Sequence, residues 1–248
     1  MIKQVSSSIS NILNKPSKFG IIETQLLFGE QVTVIKKFKN WVYCKSCNDG
    51  YLGWINSEEL GPKTISTHIV SEPICHCYKK KDIKSEVYKL LYFNSRVNII
   101  DREGHWFVSK INNRIVYIYK KHLREINSKS SNWVNDALKF QNAPYRWGGK
   151  SILGIDCSGL VQISLNFSGI FFPRNTQEQF NFPKLKNVNN IKKGSLVFWE
   201  GHVAIAIDKY KIIHSNAYHL AVKIENLCDA KERIQKNYGK FKGIKNLF

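Results

Sequence analysis

The sequence predicts two small all-β barrels followed by one α+β domain. Three observations carry this expectation. A weak internal repeat, offset by about 64 residues, runs through the first half. Helical spacing of apolar residues begins at Trp133. The last third then returns to short alternating runs of the kind that pair as antiparallel strands.

The first barrel is placed at residues 1–62 and the second at 63–126. Leu26-Leu27, Val32-x-Val34, Trp41 and Leu60 of the first copy return as Leu90-Leu91, Val97-x-Ile99, Trp106 and Leu123 of the second. Between these anchors lie alternating runs broken by turns such as Asn48-Asp49-Gly50 and Arg102-Glu103-Gly104. Five strands in about 60 residues suit a small barrel. Asp49-Gly50-Tyr51-Leu52-Gly53-Trp54-Ile55 ends the first copy and resembles the closing strand of bacterial SH3-like domains. The second copy has Ile115-Val116-Tyr117-Ile118-Tyr119 there and lacks the Gly-Trp pair, so it is degenerate.

Residues 127–248 are the third domain. Its first residues, 127–132, are a polar linker whose Ser and Asn side chains suit a helix cap. Trp133, Val134, Ala137, Leu138 and Gln141 share a helical face that Asn142-Ala143-Pro144 stops. The Gly-rich loop Tyr145-Arg146-Trp147-Gly148-Gly149 comes next. A second helix opens at Ile155-Asp156-Cys157 and runs to about Phe167-Ser168-Gly169. Runs 195–199, 202–207 and 211–214 then alternate as an antiparallel meander.

Composition narrows the function. A hydrophobic share of 43% against 23% charged residues excludes a disordered chain. Thirty-eight Lys and Arg against 19 Asp and Glu give +19, which would suit nucleic acid. The basic residues, however, are mostly Lys, with seven Arg, and are spread along the chain in the manner of an AT-rich genome. No nucleic-acid partner is expected, although such a surface attracts acidic small substrates. No apolar run approaches the roughly 18 residues needed to span a bilayer, so no membrane partner is expected. Residues Met1–Ser8 lack the apolar stretch of a secretory signal, so the cytoplasm is the expected compartment and the six cysteines are expected to be reduced. Cys44-x-x-Cys47 with Cys75-His76-Cys77 is poorly spaced for zinc, and Cys44 falls in an alternating strand. These cysteines are expected to be small buried or half-buried residues, with no metal and no cofactor.

Chemistry gathers in the third domain. Cys157 sits where a loop enters a helix, where backbone N–H groups and the helix dipole favour a thiolate. Asp156 is a good N-cap, and Gly159 permits close approach to the helix. His202 and His214 lie in apolar strands, where an unpartnered histidine would be an odd choice. On neighbouring antiparallel strands they can face one side, which supplies a nucleophile, a base and an orienting group.

Tyr145-Arg-Trp-Gly-Gly, Asp156-Cys-Ser-Gly-Leu-Val-Gln, Phe172-Pro-Arg-Asn-Thr-Gln-Glu-Gln179, His202-Val-Ala-Ile and Ile213-His214-Ser215 occur in one order. Together they resemble the NlpC-type cysteine peptidases of bacterial cell walls, over roughly residues 131–248. The barrels ahead resemble the subgroup of γ-D-glutamyl-L-diamino acid endopeptidases. The resemblance implies a papain-like core with Cys157 as nucleophile, His202 as base and His214 as orienting residue. It implies that Tyr145, Asp156 and Ser158 line the substrate cleft, Asp156 and Ser158 helping to bind the free amine of an N-terminal L-Ala. Arg174 is implied in cleft or structural contacts, and Tyr51 as a wall of the site. An acidic residue of the first barrel is expected at the amine; Glu23 and Glu30 both fit. The implied substrate is a peptidoglycan-derived peptide, recycled in the cytoplasm. An amidase, acyltransferase or thioesterase on the same core, and an intact-wall hydrolase, are the competing expectations. The chain departs from the family in having Gly194-Ser195-Leu196 where Gly-Asp-Leu is usual, and in the short Trp199-Glu200-Gly201 connection.

Overall fold

Alternation in strands such as Trp41–Ser46 and Ile74–Tyr78 gives sheets with one buried face, and these supply the cores of the first unit. The computed structural model describes residues 1–130 and 132–247. It divides the chain into two units, Met1–Lys129 and Ser130–Phe248.

In the first unit, residues 2–61 form a seven-stranded antiparallel sheet. Its order is Ile22–Leu27, Ile9–Leu13, Leu52–Asn56, Trp41–Ser46, Gln31–Phe38, Ile2–Val5, Leu60–Gly61. The inward residues Val5, Ile12, Leu26, Val32, Val42, Cys44 and Ile55 make one core. Residues 68–125 supply a five-stranded and a three-stranded sheet around a second core that includes Cys75, Cys77, Leu91, Ile111 and Ile118. The two cores belong to one compact unit, and Phe28 packs against the second of them. The Arg96 N–H donates to the Phe28 carbonyl at 2.8 Å. Gly29 makes that approach possible: its φ is +84°, and a Cβ there would lie 2.2 Å from the Arg96 carbonyl oxygen.

The cysteines follow the sheets. Cys44, Cys75 and Cys77 are core residues, and burial pushes the Cys44 and Cys77 thiols up to about 12. Cys47 departs from the expectation of burial: it follows the strand's last residue, Ser46, and is exposed.

The second unit begins with α1 (Trp133–Leu138), capped by Asn132, whose side chain accepts the Asn135 N–H at 3.3 Å. Then α2 (Cys157–Phe167) is buried on nearly every face. After α3 (Thr176–Phe180) comes a six-stranded antiparallel sheet. Its order is Leu185–Asn187, Phe241–Leu247, Leu196–Trp199, His202–Ala206, Lys211–Asn216, Ala221–Asn226. The expected meander is therefore real from residue 196 to 226, but the chain does not end there. The last strand returns between two earlier ones, after α4 (Leu227–Asn237). Ala230 and Ile234 of α4 bury against Val197, Trp199, Ala204 and Ile212. None of the helices in the described residues is long and apolar enough to cross a membrane.

Candidate active site

Cys157 is the first residue of α2, and its place is fixed by the residues around it. Asp156 takes extended backbone (φ −97°, ψ 177°) and its Oδ1 accepts the Gly159 N–H at 2.7 Å, closing the helix start. Gly159 lies so near the Gly-rich loop that a Cβ would be 2.6 Å from the Gly149 carbonyl oxygen. From the other side, Arg174 grips Asp156 in a fork: Nη1 to Oδ1 at 2.9 Å and Nη2 to Oδ2 at 2.6 Å. Arg174 is 2% exposed and also donates to the Ser158 hydroxyl at 2.8 Å. The Gly148 N–H reaches Asp156 Oδ2 at 2.8 Å, and Gln179 bridges the Ser158 and Pro173 carbonyls. The nucleophile candidate thus stands on a buried, paired polar network, and such pairing is what makes a buried charge tolerable.

The Cys157 sulfur touches the chain on both sides of His202. It lies 4.0 Å from the Gly201 carbonyl oxygen, receives the Val203 N–H, and has the Thr176 hydroxyl at 3.9 Å. Strand register then brings the histidines together. Ile205 pairs with Ile213 and Ala206 with Ile212, which sets Ala204 opposite His214 and leaves His202 on the same face. His202 Nε2 is 2.8 Å from His214 Nδ1, with the rings edge to face. His214 is 1% exposed. Tyr145 is placed by a bridge to Ile155 and by its N–H bond to the Leu220 carbonyl. Burial, with Cys157 and Asp156 nearby, pushes its hydroxyl up to about 12.

The electrostatics correct one expectation. Burial, aided by Asp156, pushes the Cys157 thiol up to about 11, against the Val203 N–H, the Thr176 hydroxyl and Arg174. The helix end does favour the anion, but loss of water outweighs it, so the resting sulfur carries its proton. Burial also drives His202 well below 6.5, with His214 and Arg233 adding to the effect. At neutral pH the resting pair is thiol and neutral imidazole. That arrangement suits general-base removal of the thiol proton as the sulfur attacks.

Sequence reading missed Glu225 and Arg233, which lie behind His214. Lys223 and Glu225 alternate with Val222 and Ile224, which reads as the solvated face of a strand. Helix α4 lies beside that strand, and Arg233 and Glu225 are each left only 16% exposed. The available signal was the pairing of Glu225 with a basic residue two helical turns into the next element.

The Tyr51 hydroxyl of the first unit donates to Glu23 Oε2 at 3.0 Å. Glu30 instead closes its own turn: Oε2 accepts the Leu27 N–H at 2.8 Å and Oε1 the Asn48 amide at 2.6 Å.

Comparison with known proteins places this geometry. Residues 142–239 match the NlpC/P60 family, and residues 12–60 match the bacterial dipeptidyl-peptidase SH3 domain. Dipeptidyl-peptidase 6 of Lysinibacillus sphaericus is 25% identical over 90% of this chain and 90% of its own length. The γ-D-glutamyl-L-lysine dipeptidyl-peptidase of Bacillus subtilis is 27% identical over 84% of this chain and 77% of its own. The crystal structure of an NlpC/P60 family protein from Bacillus cereus has the same fold, with a TM-score of 0.86 and 20% identity over the whole of this chain and 99% of that one. Residues 142–239 of the second unit thus carry an NlpC/P60 domain and residues 12–60 of the first a bacterial dipeptidyl-peptidase SH3 domain, and the protein is a hydrolase with peptidase activity.

Proposed function

We propose that this peptidase hydrolyses the γ-D-Glu–diamino acid bond of peptidoglycan stem peptides with a free N-terminal L-Ala, releasing L-Ala-γ-D-Glu. The observation that carries the reading is the Cys157 sulfur seated against the backbone flanking His202, with His202 in turn bonded to His214. Support for the substrate comes from relatives along most of the chain whose names carry the dipeptidyl-peptidase activity. In this reading the core is papain-like, the first unit is two SH3-like barrels, and the enzyme serves muropeptide recycling in the cytoplasm.

Each proton has a place. The Cys157 Sγ–H proton passes to Nδ1 of His202 as sulfur adds to the γ-carbonyl carbon. His214, on the far nitrogen of His202, holds the ring in place and supports the imidazolium. The N–H groups of α2 ahead of Gly159 have no partner within the helix, and this reading assigns them to the developing oxyanion. His202 gives its proton to the diamino acid nitrogen as the C–N bond breaks, leaving a thioester on Cys157. Water, deprotonated by His202, adds to the thioester carbonyl. The thiol regains its proton and the dipeptide leaves.

Recognition of the amine needs a carboxylate whose charge is not already offset. Asp156 shares its charge with Arg174 and accepts from Gly148, Ser158 and Gly159 as well. Its role is to hold the helix start, with Tyr145 and Ser158, against the acyl group. Glu30 is committed to its own turn. Glu23 accepts from the Tyr51 hydroxyl; the resemblance implies that one of these two acidic residues, Glu23 or Glu30, meets the ammonium group. A charge-assisted hydrogen bond of this kind contributes about 1.5–3 kcal/mol.

The test is a pair of tripeptides, L-Ala-γ-D-Glu-diaminopimelate with a free or an acetylated amine, with products read by mass spectrometry. Acetylation is expected to lower kcat/KM at least about tenfold, equivalent to 1.4 kcal/mol. Gln in place of whichever acidic residue meets the amine, Glu23 or Glu30, is expected to erase most of that difference. Equal rates on free and blocked peptides would overturn the amine pocket and favour a hydrolase of the intact wall.

A further inference from the structure

The hydrogen-bonded line through the site does not stop at His214. Nε2 of His214 meets Oε2 of Glu225 at 2.5 Å. In the strand pairing Glu225 stands opposite Ile212, and His214 opposite Lys223, so Glu225 lies on the His214 face one step along. Arg233 of α4 holds both Glu225 oxygens at 2.6 Å, and His219 Nε2 is 3.2 Å from Oε1. The Arg233 guanidinium rests over the Tyr218 ring at 4.2 Å. Lys223, the other charged side chain of this strand face, is bonded to the Asn142 side-chain oxygen at 2.8 Å.

The protonation pattern follows from valence. Burial raises the Glu225 carboxyl, but hydrogen bonds from His214, His219 and Arg233 outweigh it and hold the group at about 2. An ionised carboxylate only accepts, so His214 must present its proton on Nε2. Burial holds His214 below 6.5 even with Glu225 beside it, so at neutral pH the ring has one N–H. Its Nδ1 is then a bare acceptor, and the 2.8 Å contact must be donated by His202 Nε2–H. His202 likewise has one N–H, which leaves its Nδ1 as the unprotonated nitrogen.

We infer that Glu225 is a positioning residue that sets the ring proton on both histidines, so that His202 offers a bare Nδ1 to the Cys157 thiol. This rests on the peptidase reading above and extends it from a line of three residues to one of four. Arg233 and His219 keep the carboxylate in place. None of the three needs to touch substrate.

Histidine tautomers are read directly by two-bond ¹H–¹⁵N correlation on ¹⁵N-labelled protein, without substrate. In the unmodified protein near pH 7.5, His202 and His214 are both expected as Nε2–H. In Glu225→Gln the amide competes for Arg233 and no longer demands the His214 proton. The tautomers are then expected to mix or reverse, with kcat at least tenfold lower and KM changed less than twofold. Glu225→Asp keeps a carboxylate and is expected to restore Nε2–H on both rings and most of kcat. A proton on Nδ1 of either histidine in the unmodified protein overturns the inference, whether or not the Gln variant folds. So does Glu225→Gln with unaltered tautomers, or with a loss confined to KM. A protein with the expected tautomers that cleaves no γ-glutamyl peptide would instead refute the substrate reading, leaving the positioning role standing.

Discussion

Replacing Cys157 with Ala is expected to reduce hydrolysis of the γ-glutamyl peptide by about 10⁴-fold or more, because the thiol that forms the acyl-enzyme bond is removed. The thiol is 8% exposed and bonded only through weak sulfur contacts. Stability should therefore change by no more than about 1 kcal/mol, since little apolar area and no strong hydrogen bond is lost. The Asp156–Arg174 network stays intact in the variant, and thermal unfolding should show a transition close to that of the parent. An active Cys157→Ala protein would remove the nucleophile assignment. Loss of activity together with collapse of the unfolding transition would make the residue a structural one.

The second large effect belongs to His202. Alanine there is expected to cost nearly as much as loss of the nucleophile, about 10³- to 10⁴-fold in kcat, and the Cys157/His202 double variant should be little worse than either single one. Residues that act as one unit are not additive. The pH profile checks the same assignment with a definite sign. His202 is held well below 6.5 mainly by burial, so it stays a neutral base as pH falls through 6.5 and is lost only lower. Activity should therefore persist on the acid side to below pH 6.5. The thiol, held near 11, gives no alkaline limb before that value. A parent enzyme whose kcat/KM already falls as pH drops from 8 to 6.5 would contradict a buried neutral His202. A thiolate–imidazolium resting pair would be the replacement.

The helix that carries Cys157 was legible because three signals coincide: a capping Asp, a Gly-rich loop and an apolar run ending at Phe167. His202 and His214 stood out as polar residues in apolar strands, and the register that joins them follows from a short turn. Other features depend on contacts distant in sequence. Phe241–Leu247 returns to lie between Leu185–Asn187 and Leu196–Trp199, and neither its alternation nor its composition names those partners. Glu225 reads as solvated until α4 brings Arg233 to it. The thiol was misjudged for a related reason: the helix-end effect is local and visible in sequence, whereas desolvation is the sum of everything folded around the sulfur.

The central claim is that Cys157 takes the L-Ala-γ-D-Glu acyl group from a free-amine stem peptide. Acid quenching within the first turnovers traps such a thioester, and peptide mapping by mass spectrometry finds its position. The predicted result is a protein heavier by one dipeptide acyl group, with the addition confined to the Cys157 peptide and absent with the N-acetylated substrate. Product release without any adduct on Cys157, or an adduct on another cysteine such as exposed Cys47 or Cys228, would contradict it.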